Sequence, residues 1–182
     1  MLIKKNSYLF IDNLNKNIDK KVNKFKNLSI ICGSTNKSSL NHNEMEILRK
    51  FCKRKKIKFY YKDNIKIANK YKADGIYLSN ENKKSYKNLN NRKFNIIGLA
   101  HNQLEYFTKF KQGCEMIMLS PLFHNKKYST NKTLGIIKFN LMTKDWGCQV
   151  GALAGILKKN LKKTNMIKAK NIGFIRLIEE GI

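Results

Sequence analysis

The chain has 182 residues, which is enough for one domain with a substantial core and too few for two comfortable ones. Its 38 basic and 12 acidic residues give a formal net charge of +26, a value that raises nucleic acid or an anionic membrane as partners. However, the lysines spread from Lys4 to Lys170 without one dominant block, and arginine, the residue favoured for bidentate contacts, is scarce. We therefore expect a single domain over residues 1–182, whose many lysines, asparagines and isoleucines are typical of an A+T-rich genome, and we do not expect a dedicated nucleic-acid surface.

The cysteines and the apolar segments exclude several further classes. Cys32, Cys52, Cys114 and Cys148 show neither C-x-x-C spacing nor a histidine at ligand spacing, so neither a zinc site nor a disulfide framework is predicted. The apolar segment near the N-terminus is too short for a signal peptide, and no run approaches the roughly 18 apolar residues of a membrane span. These patterns predict a cytoplasmic protein without a membrane partner.

Strand and helix patterns alternate along the chain, most compactly between Lys56 and Asn82. Runs of β-branched and aromatic residues predict strands at Ser7–Ile11, Leu28–Cys32, Ile57–Tyr61, Ile76–Leu78, Phe94–Ala100, Met116–Leu119, Gln149–Leu153 and Gly173–Ile178. Apolar residues at helical spacing predict helices after a cap at Asp12-Asn13 and at Glu44–Lys55, Asn64–Tyr71, Lys83–Asn90, Gln103–Lys111, Ile136–Trp146 and Lys158–Lys168. Because a helical crossover joins each pair of strands, the strands are expected to be parallel neighbours.

Eight strand–helix repeats predict a compact (β/α)₈ TIM barrel whose last helix is missing, because only Glu-Glu-Gly-Ile follows the final strand. A doubly wound open sheet is the alternative. In either fold the functional site lies beyond the carboxyl ends of the strands. The two long polar loops at residues 33–43 and 122–133 are of the size that carries a site.

Four segments, in order along the chain, carry a family resemblance. They read KFYYKDNIKIANKYKADGIYLSNEN, IIGLAHNQLE, GCEMIMLSPLFHNKKYSTNKTLG and VGALAGILKKNL, and together they resemble the thiamine phosphate synthase and thiazole tautomerase family. In that family a TIM barrel binds an aminopyrimidine diphosphate with Mg²⁺ together with a thiazole phosphate. Pyrophosphate leaves, and the thiazole nitrogen captures the pyrimidine methylene cation. The resemblance implies a transferase of thiamine biosynthesis with Mg²⁺ as cofactor and small-molecule thiamine precursors as partners, and it leaves a homo-oligomer open.

The resemblance assigns metal roles to positions after two neighbouring strands. Asp63 matches the family's metal-binding aspartate, although a helix N-cap ahead of Ile65 is an equally weighted role for it. The family's second carboxylate falls on the neutral Asn82, and Glu81 beside it is the substitute candidate. Lys62 places a cation next to this proposed metal site.

Phosphate binding is implied at Lys126 or Lys127 in the long loop, and at Gly155, which matches the second glycine of the family's Gly-Gly pair. Ala154 replaces the first glycine, so a positive φ is expected to be disfavoured there. The catalytic histidine of tautomerase members falls on Pro121.

Two histidines lie near the expected site. His124, three residues after Pro121, is the candidate catalytic residue, because histidine shuttles protons near neutral pH. His101 is expected to cap a helix or make a structural hydrogen bond.

Other family positions have lost their polar groups. Ala100 stands where the family has a pyrophosphate-contacting serine, no basic residue occurs at Cys32–Ser34, and Ile178 replaces a serine. Since apolar packing tolerates exchange while diphosphate binding needs particular charges, the fold is expected to survive and the activity to be reduced or altered. The prediction is a thiamine phosphate synthase-like protein with a divergent active site. The alternatives are a non-catalytic member that binds a ligand or a partner protein, a thiazole tautomerase-like isomerase, and a nucleic-acid-binding protein.

Overall fold

The structure, a computed structural model, describes residues 4–12, 22–23, 25–33, 40–92, 94–124 and 133–174. Within them, eight parallel strands close into a barrel in chain order, which confirms the predicted fold class. The strands are β1 Asn6–Ile11, β2 Leu28–Cys32, β3 Lys58–Lys62, β4 Gly75–Leu78, β5 Asn95–Ala100, β6 Met116–Leu119, β7 Gln149–Leu153 and β8 Asn171–Phe174. The α-helices are α1 His42–Arg54, α2 Ile65–Lys70, α3 Gln103–Lys111 and α4 Gly135–Met142, joined by 3-10 helices at Lys87–Arg92 and Lys158–Met166.

The last strand begins two residues earlier than the sequence predicted. Asn171 pairs with Asn6 of β1 and with Gly151 of β7, and the Asn6 side-chain amide donates to Asn171 Oδ1 at 3.0 Å. This contact between two asparagines joins β8 to β1 and so closes the barrel. Because both residues are polar, the apolar pattern of the sequence did not place them in the strand pair. Three predictions lie outside the described residues. They are residues 175–178 of the predicted strand, the absence of a helix after it, and most of the helix predicted after Asp12.

Two predicted α-helices are 3-10 helices in the structure. Before the first, the backbone N–H of Tyr86 donates to the Gln112 carbonyl at 2.9 Å, so the segment from Lys83 stays non-helical until Lys87. The second, Lys158–Met166, buries only Thr164. Because it buries so little apolar surface, packing does not stabilise a regular α-helix there. The helix predicted to extend to Trp146 ends at Met142.

The core has two layers. Strand residues on one face pack against α1 through side chains such as Leu9, Ile30 and Leu48. Residues on the other face fill the barrel interior, among them Phe10, Ile31, Tyr60, Tyr77, Ile97, Met116, Met118 and Leu153. Because these large side chains occupy the interior, the space for a ligand is at the mouth formed by the carboxyl ends of the strands.

The four cysteines are free, as predicted, and three of them are buried. Burial raises the pKa of Cys32, Cys52 and Cys114 to about 12, so these thiols stay protonated and pack as small apolar groups. No helix among the described residues has the length and apolar character needed to cross a membrane.

Helix α3 buries a different face from the one its apolar residues suggest. Leu104, Phe107 and Phe110 are exposed, whereas Tyr106 and Lys109 are buried. Gly98 of β5 makes room for the lysine, since a Cβ atom there would lie 3.0 Å from Lys109 Cβ. The orientation of α3 therefore sends a lysine towards the barrel mouth.

Candidate active site

Asp63 follows β3 at the barrel mouth and adopts a left-handed backbone conformation with φ of 55°. Its Oδ1 atom accepts hydrogen bonds from the Ser79 backbone N–H and from the Asn82 side-chain amide, both at 2.9 Å. None of the described residues donates to its Oδ2 atom. The N-cap of α2 is Asn64, whose side chain accepts from the Ile67 N–H at 3.1 Å, so Asp63 is not the cap. One carboxylate oxygen is thus fixed while the other remains available at the mouth.

The structure brings Asn82 to Asp63 as a hydrogen-bond donor. The Asn82 Oδ1 atom accepts from the Lys84 N–H at 3.0 Å, so the amide nitrogen is the atom directed at the carboxylate. Glu81 is exposed, and no hydrogen bond to a described residue holds it. Of the three predicted metal ligands, Asp63 and Asn82 therefore lie in contact, and Asn82 orients the Asp63 carboxylate through a hydrogen bond.

A second group at this end of the barrel, missed by the sequence analysis, is Lys109. Its ammonium donates to the carbonyls of Ser79 at 2.5 Å and Asn82 at 2.8 Å. Beside it, the Gln112 side chain donates to the carbonyls of Asn82 at 2.9 Å and Lys84 at 2.8 Å. Burial lowers the pKa of Lys109. No pattern in the sequence indicated this position, because the apolar residues of α3 mark a different face as the buried one.

His101 and Glu105 form a polar pair after β5. The Glu105 Oε2 atom accepts from the His101 backbone N–H at 2.7 Å and lies 3.0 Å from its ring Nδ1, while the Asn102 side chain caps α3 by accepting from the Glu105 N–H. Burial alone would raise the pKa of Glu105, but the hydrogen bonds from His101 outweigh it and lower that pKa. The structural hydrogen bond expected of His101 is confirmed.

Across the mouth, Gly155 follows β7. Its φ is 73°, and a Cβ atom at this position would lie 2.0 Å from the Phe123 carbonyl oxygen, so only glycine fits. Ala154 also has a positive φ, of 68°, so the chain adopts here the conformation that was expected to be disfavoured for an alanine. The Phe123 N–H donates to the Ala154 carbonyl at 3.2 Å and holds the two segments together, which supports this backbone geometry despite the alanine side chain. No described residue accepts from the N–H groups of Gly155 and Ile156.

The remaining predicted residues have less structural support. His124 is exposed and follows Phe123, the residue packed against Gly155, so it lies at the same end of the barrel. Lys126 and Lys127 lie outside the described residues. Ala100, where the resemblance implies a serine, is fully buried.

The side chains at the mouth offer few ligands for a metal ion. Among the described residues, no three His, Cys, Asp or Glu side chains come together to hold a metal. Mg²⁺ is commonly bound through one or two carboxylates plus substrate phosphates and water. The single available oxygen of Asp63 therefore fits Mg²⁺ that arrives with a diphosphate, rather than an ion held by the protein alone.

A closed parallel barrel of eight strands, with polar groups beyond its strand ends, defines the chain as a (β/α)₈ protein. The sequence model of the family TMP-TENI, described as thiamine monophosphate synthase, matches residues 33–178. Because this match spans most of the sequence, the chain belongs to that family.

Curated relatives include thiamine-phosphate synthases from two strains of Prochlorococcus marinus. The protein of strain AS9601 is 28% identical over 137 residues, which cover 73% of this chain and 38% of that protein. The protein of strain SARG is 29% identical over 139 residues, covering 74% of this chain and 40% of that protein. The chain thus spans less than half the length of these relatives.

Solved structures show the same fold at low sequence identity. Thiamine phosphate pyrophosphorylase from Pyrococcus furiosus has a TM-score of 0.73 at 15% identity, with 95% of this chain and 86% of that chain covered. The corresponding protein from Bacteroides thetaiotaomicron has a TM-score of 0.60 at 14% identity, with 98% of this chain and 86% of that chain covered.

Proposed function

We propose that this chain is a divergent thiamine phosphate synthase, which transfers an aminopyrimidine from its diphosphate to a thiazole phosphate. The observation that carries the proposal is the Asp63 carboxylate, which is fixed through Oδ1 and open at Oδ2 on the mouth of a barrel of this family. The reaction asks a protein to assist departure of a polyanion and to position two substrates, and both tasks are performed at such a mouth.

Mg²⁺ bound with the diphosphate would neutralise charge on the departing pyrophosphate. The role of Asp63 is to hold that ion through Oδ2, while Ser79 and Asn82 keep the carboxylate oriented. Opposite, the N–H groups of Gly155 and Ile156 are proposed to bind the phosphate of the thiazole substrate, because they have no acceptor among the described residues. Lys126 and Lys127 remain proposed phosphate ligands.

We propose a reduced rate, because Asn82 contributes no negative charge to the metal and Ala100 has no hydroxyl to donate to pyrophosphate. A non-catalytic member that binds a precursor or a partner protein is the main alternative. A tautomerase-like isomerase with His124 as its proton carrier stays a prediction, as do self-association and a cytoplasmic location. Nucleic-acid binding predicts an affinity that falls steeply with salt, which a titration against single-stranded DNA measures.

The test is calorimetric titration of aminopyrimidine diphosphate into the protein, with and without Mg²⁺. We expect magnesium-dependent binding, which Asp63→Asn weakens by about tenfold or more because the metal ligand loses its charge. Glu81→Gln is the matched control: it removes a nearby exposed carboxylate and should leave the affinity within about twofold.

Binding that is absent in both conditions, or that responds equally to Asp63→Asn and Glu81→Gln, would reject the synthase assignment. The barrel would then be retained for another ligand or partner. If binding is observed, formation of thiamine phosphate after addition of the thiazole phosphate distinguishes a transferase from the non-catalytic alternative.

A further inference from the structure

We infer that Lys109 is a positioning residue for the proposed site: its buried ammonium fixes the loop after β4 in the conformation that orients Asp63 towards the mouth. The inference rests on the proposed function of Asp63. It concerns a residue of α3, a helix whose position in the sequence gives no indication of a role in the site.

The burial of Lys109 calls for an explanation. The residue is only 1% exposed, and removing an ammonium group from water is unfavourable unless hydrogen bonds compensate. Its stem packs beside Gly98 of β5, a place where an apolar side chain of similar length would also fit. Packing alone therefore does not account for a lysine here.

Those contacts lie on a single loop. The Lys109 ammonium binds the carbonyl of Ser79 at 2.5 Å and the carbonyl of Asn82 at 2.8 Å. These are the two residues that bind Asp63 Oδ1, Ser79 through its backbone N–H and Asn82 through its side-chain amide. The two residues whose donors bind the Asp63 carboxylate are thus themselves bound, through their backbone carbonyls, by the Lys109 ammonium.

Binding of both carbonyls fixes the direction of the donors. Where the Ser79 carbonyl points to Lys109, the peptide chain around it is held so that the Ser79 N–H faces Asp63. Fixing the Asn82 carbonyl likewise restricts the backbone from which its side chain extends. Since metal sites depend on the groups that orient their ligands, loss of Lys109 should reach the metal through Asp63.

Gln112 offers a matched control. It lies three residues further along the chain, is also buried, and donates two hydrogen bonds to the same loop, at Asn82 and Lys84. Its side chain donates no hydrogen bond to Ser79 and carries no charge. Lys109→Met and Gln112→Met therefore each remove two hydrogen bonds to this loop, but only the first releases both residues that hold Asp63.

The first measurement is amide hydrogen exchange at Ser79, which needs no ligand. We expect exchange at this amide to become about tenfold faster or more in Lys109→Met, and to stay within about threefold of the parent chain in Gln112→Met. A neutral donor in Lys109→Gln should give an intermediate value. If Lys109→Met leaves Ser79 exchange unchanged, or if both methionine variants change it equally, the positioning role is overturned.

The second measurement is calorimetric titration with aminopyrimidine diphosphate and Mg²⁺, at matched folded fractions established by urea unfolding. Lys109→Met should weaken magnesium-dependent binding about tenfold, whereas Gln112→Met should weaken it less than about threefold at a comparable loss of unfolding free energy. A parent chain that binds no diphosphate would defeat the proposed function, while the Ser79 exchange experiment would still decide the role of Lys109. Equal weakening by both methionine variants would overturn the inference.

Discussion

The two halves of the barrel mouth present different kinds of chemical group: side chains on one half and backbone N–H groups on the other. Beyond β3, β4 and β5, the candidate groups are side chains that hold one another, with Asp63 bound by Asn82 and Glu105 bound by His101. Beyond β7, the candidate groups are backbone N–H groups shaped by Ala154 and Gly155. A side-chain site changes its chemistry with one substitution, whereas a backbone site tolerates a new side chain as long as its conformation is kept.

The largest expected effect tests the backbone half. Gly155→Ala places a Cβ atom against the Phe123 carbonyl, so the backbone must move, and we expect the free energy of unfolding to fall by about 3 kcal/mol or more. Ala154→Gly relieves a positive φ and should raise that free energy by about 1 kcal/mol. Urea unfolding measures both changes. Equal effects of the two substitutions would contradict a conformation that depends on Gly155.

The next effect tests the side-chain half. Asn82→Asp introduces the carboxylate that the family resemblance implies at this position, and it also replaces the donor to Asp63 by a second negative charge. Without metal, repulsion and the lost hydrogen bond should lower the free energy of unfolding by about 2 kcal/mol. Mg²⁺ should restore it, since the ion binds only the folded chain. Unfolding curves in EDTA and in Mg²⁺ measure this difference, and identical losses in both solutions would rule out a metal site at this pair.

A smaller effect concerns pH. The pKa of Glu105 is lowered from an ordinary value of 4.5, so its contribution to stability is complete above that pH and is lost as the pH falls through the lowered pKa. Glu105→Gln should lower the free energy of unfolding by about 1 kcal/mol at neutral pH and by progressively less as the pH falls through the lowered pKa. Urea unfolding across this range is the measurement. A difference that does not vary with pH would show that the His101 hydrogen bonds do not favour the charged carboxylate.

The smallest effect is expected at His124. Because its side chain is exposed, His124→Ala should change the free energy of unfolding by less than about 0.5 kcal/mol. Magnesium-dependent binding of aminopyrimidine diphosphate should also be unchanged, as calorimetry would show. Loss of isomerisation of a thiazole phosphate in this variant, with stability intact, would instead support the tautomerase alternative.

The barrel was predictable because strands such as Met116–Leu119 and Gln149–Leu153 are marked by local apolar runs. The position of Asp63 after β3 followed from the same pattern. Its partners did not, because hydrogen bonds to Ser79 and Asn82 depend on how two loops meet in space.

The buried side of α3 was also beyond the sequence pattern. The helix carries Phe107 and Phe110, which an amphipathic reading places inside, yet the room left by Gly98 accommodates Lys109. Likewise, the positive φ of Ala154 contradicts residue preference because contacts with the neighbouring loop outweigh it. Tertiary contacts decided each of these points.

One contact of α3 has an optical consequence. The sequence contains a single tryptophan, and the ring of Trp146 stacks on the ring of Tyr106 with centroids 3.8 Å apart and an interplanar angle of 18°. Tyr106 lies on the buried side of α3, one turn before Lys109. The tryptophan emission of the native protein therefore comes from one indole in contact with this helix, and its intensity and wavelength report, without any attached label, whether α3 is docked.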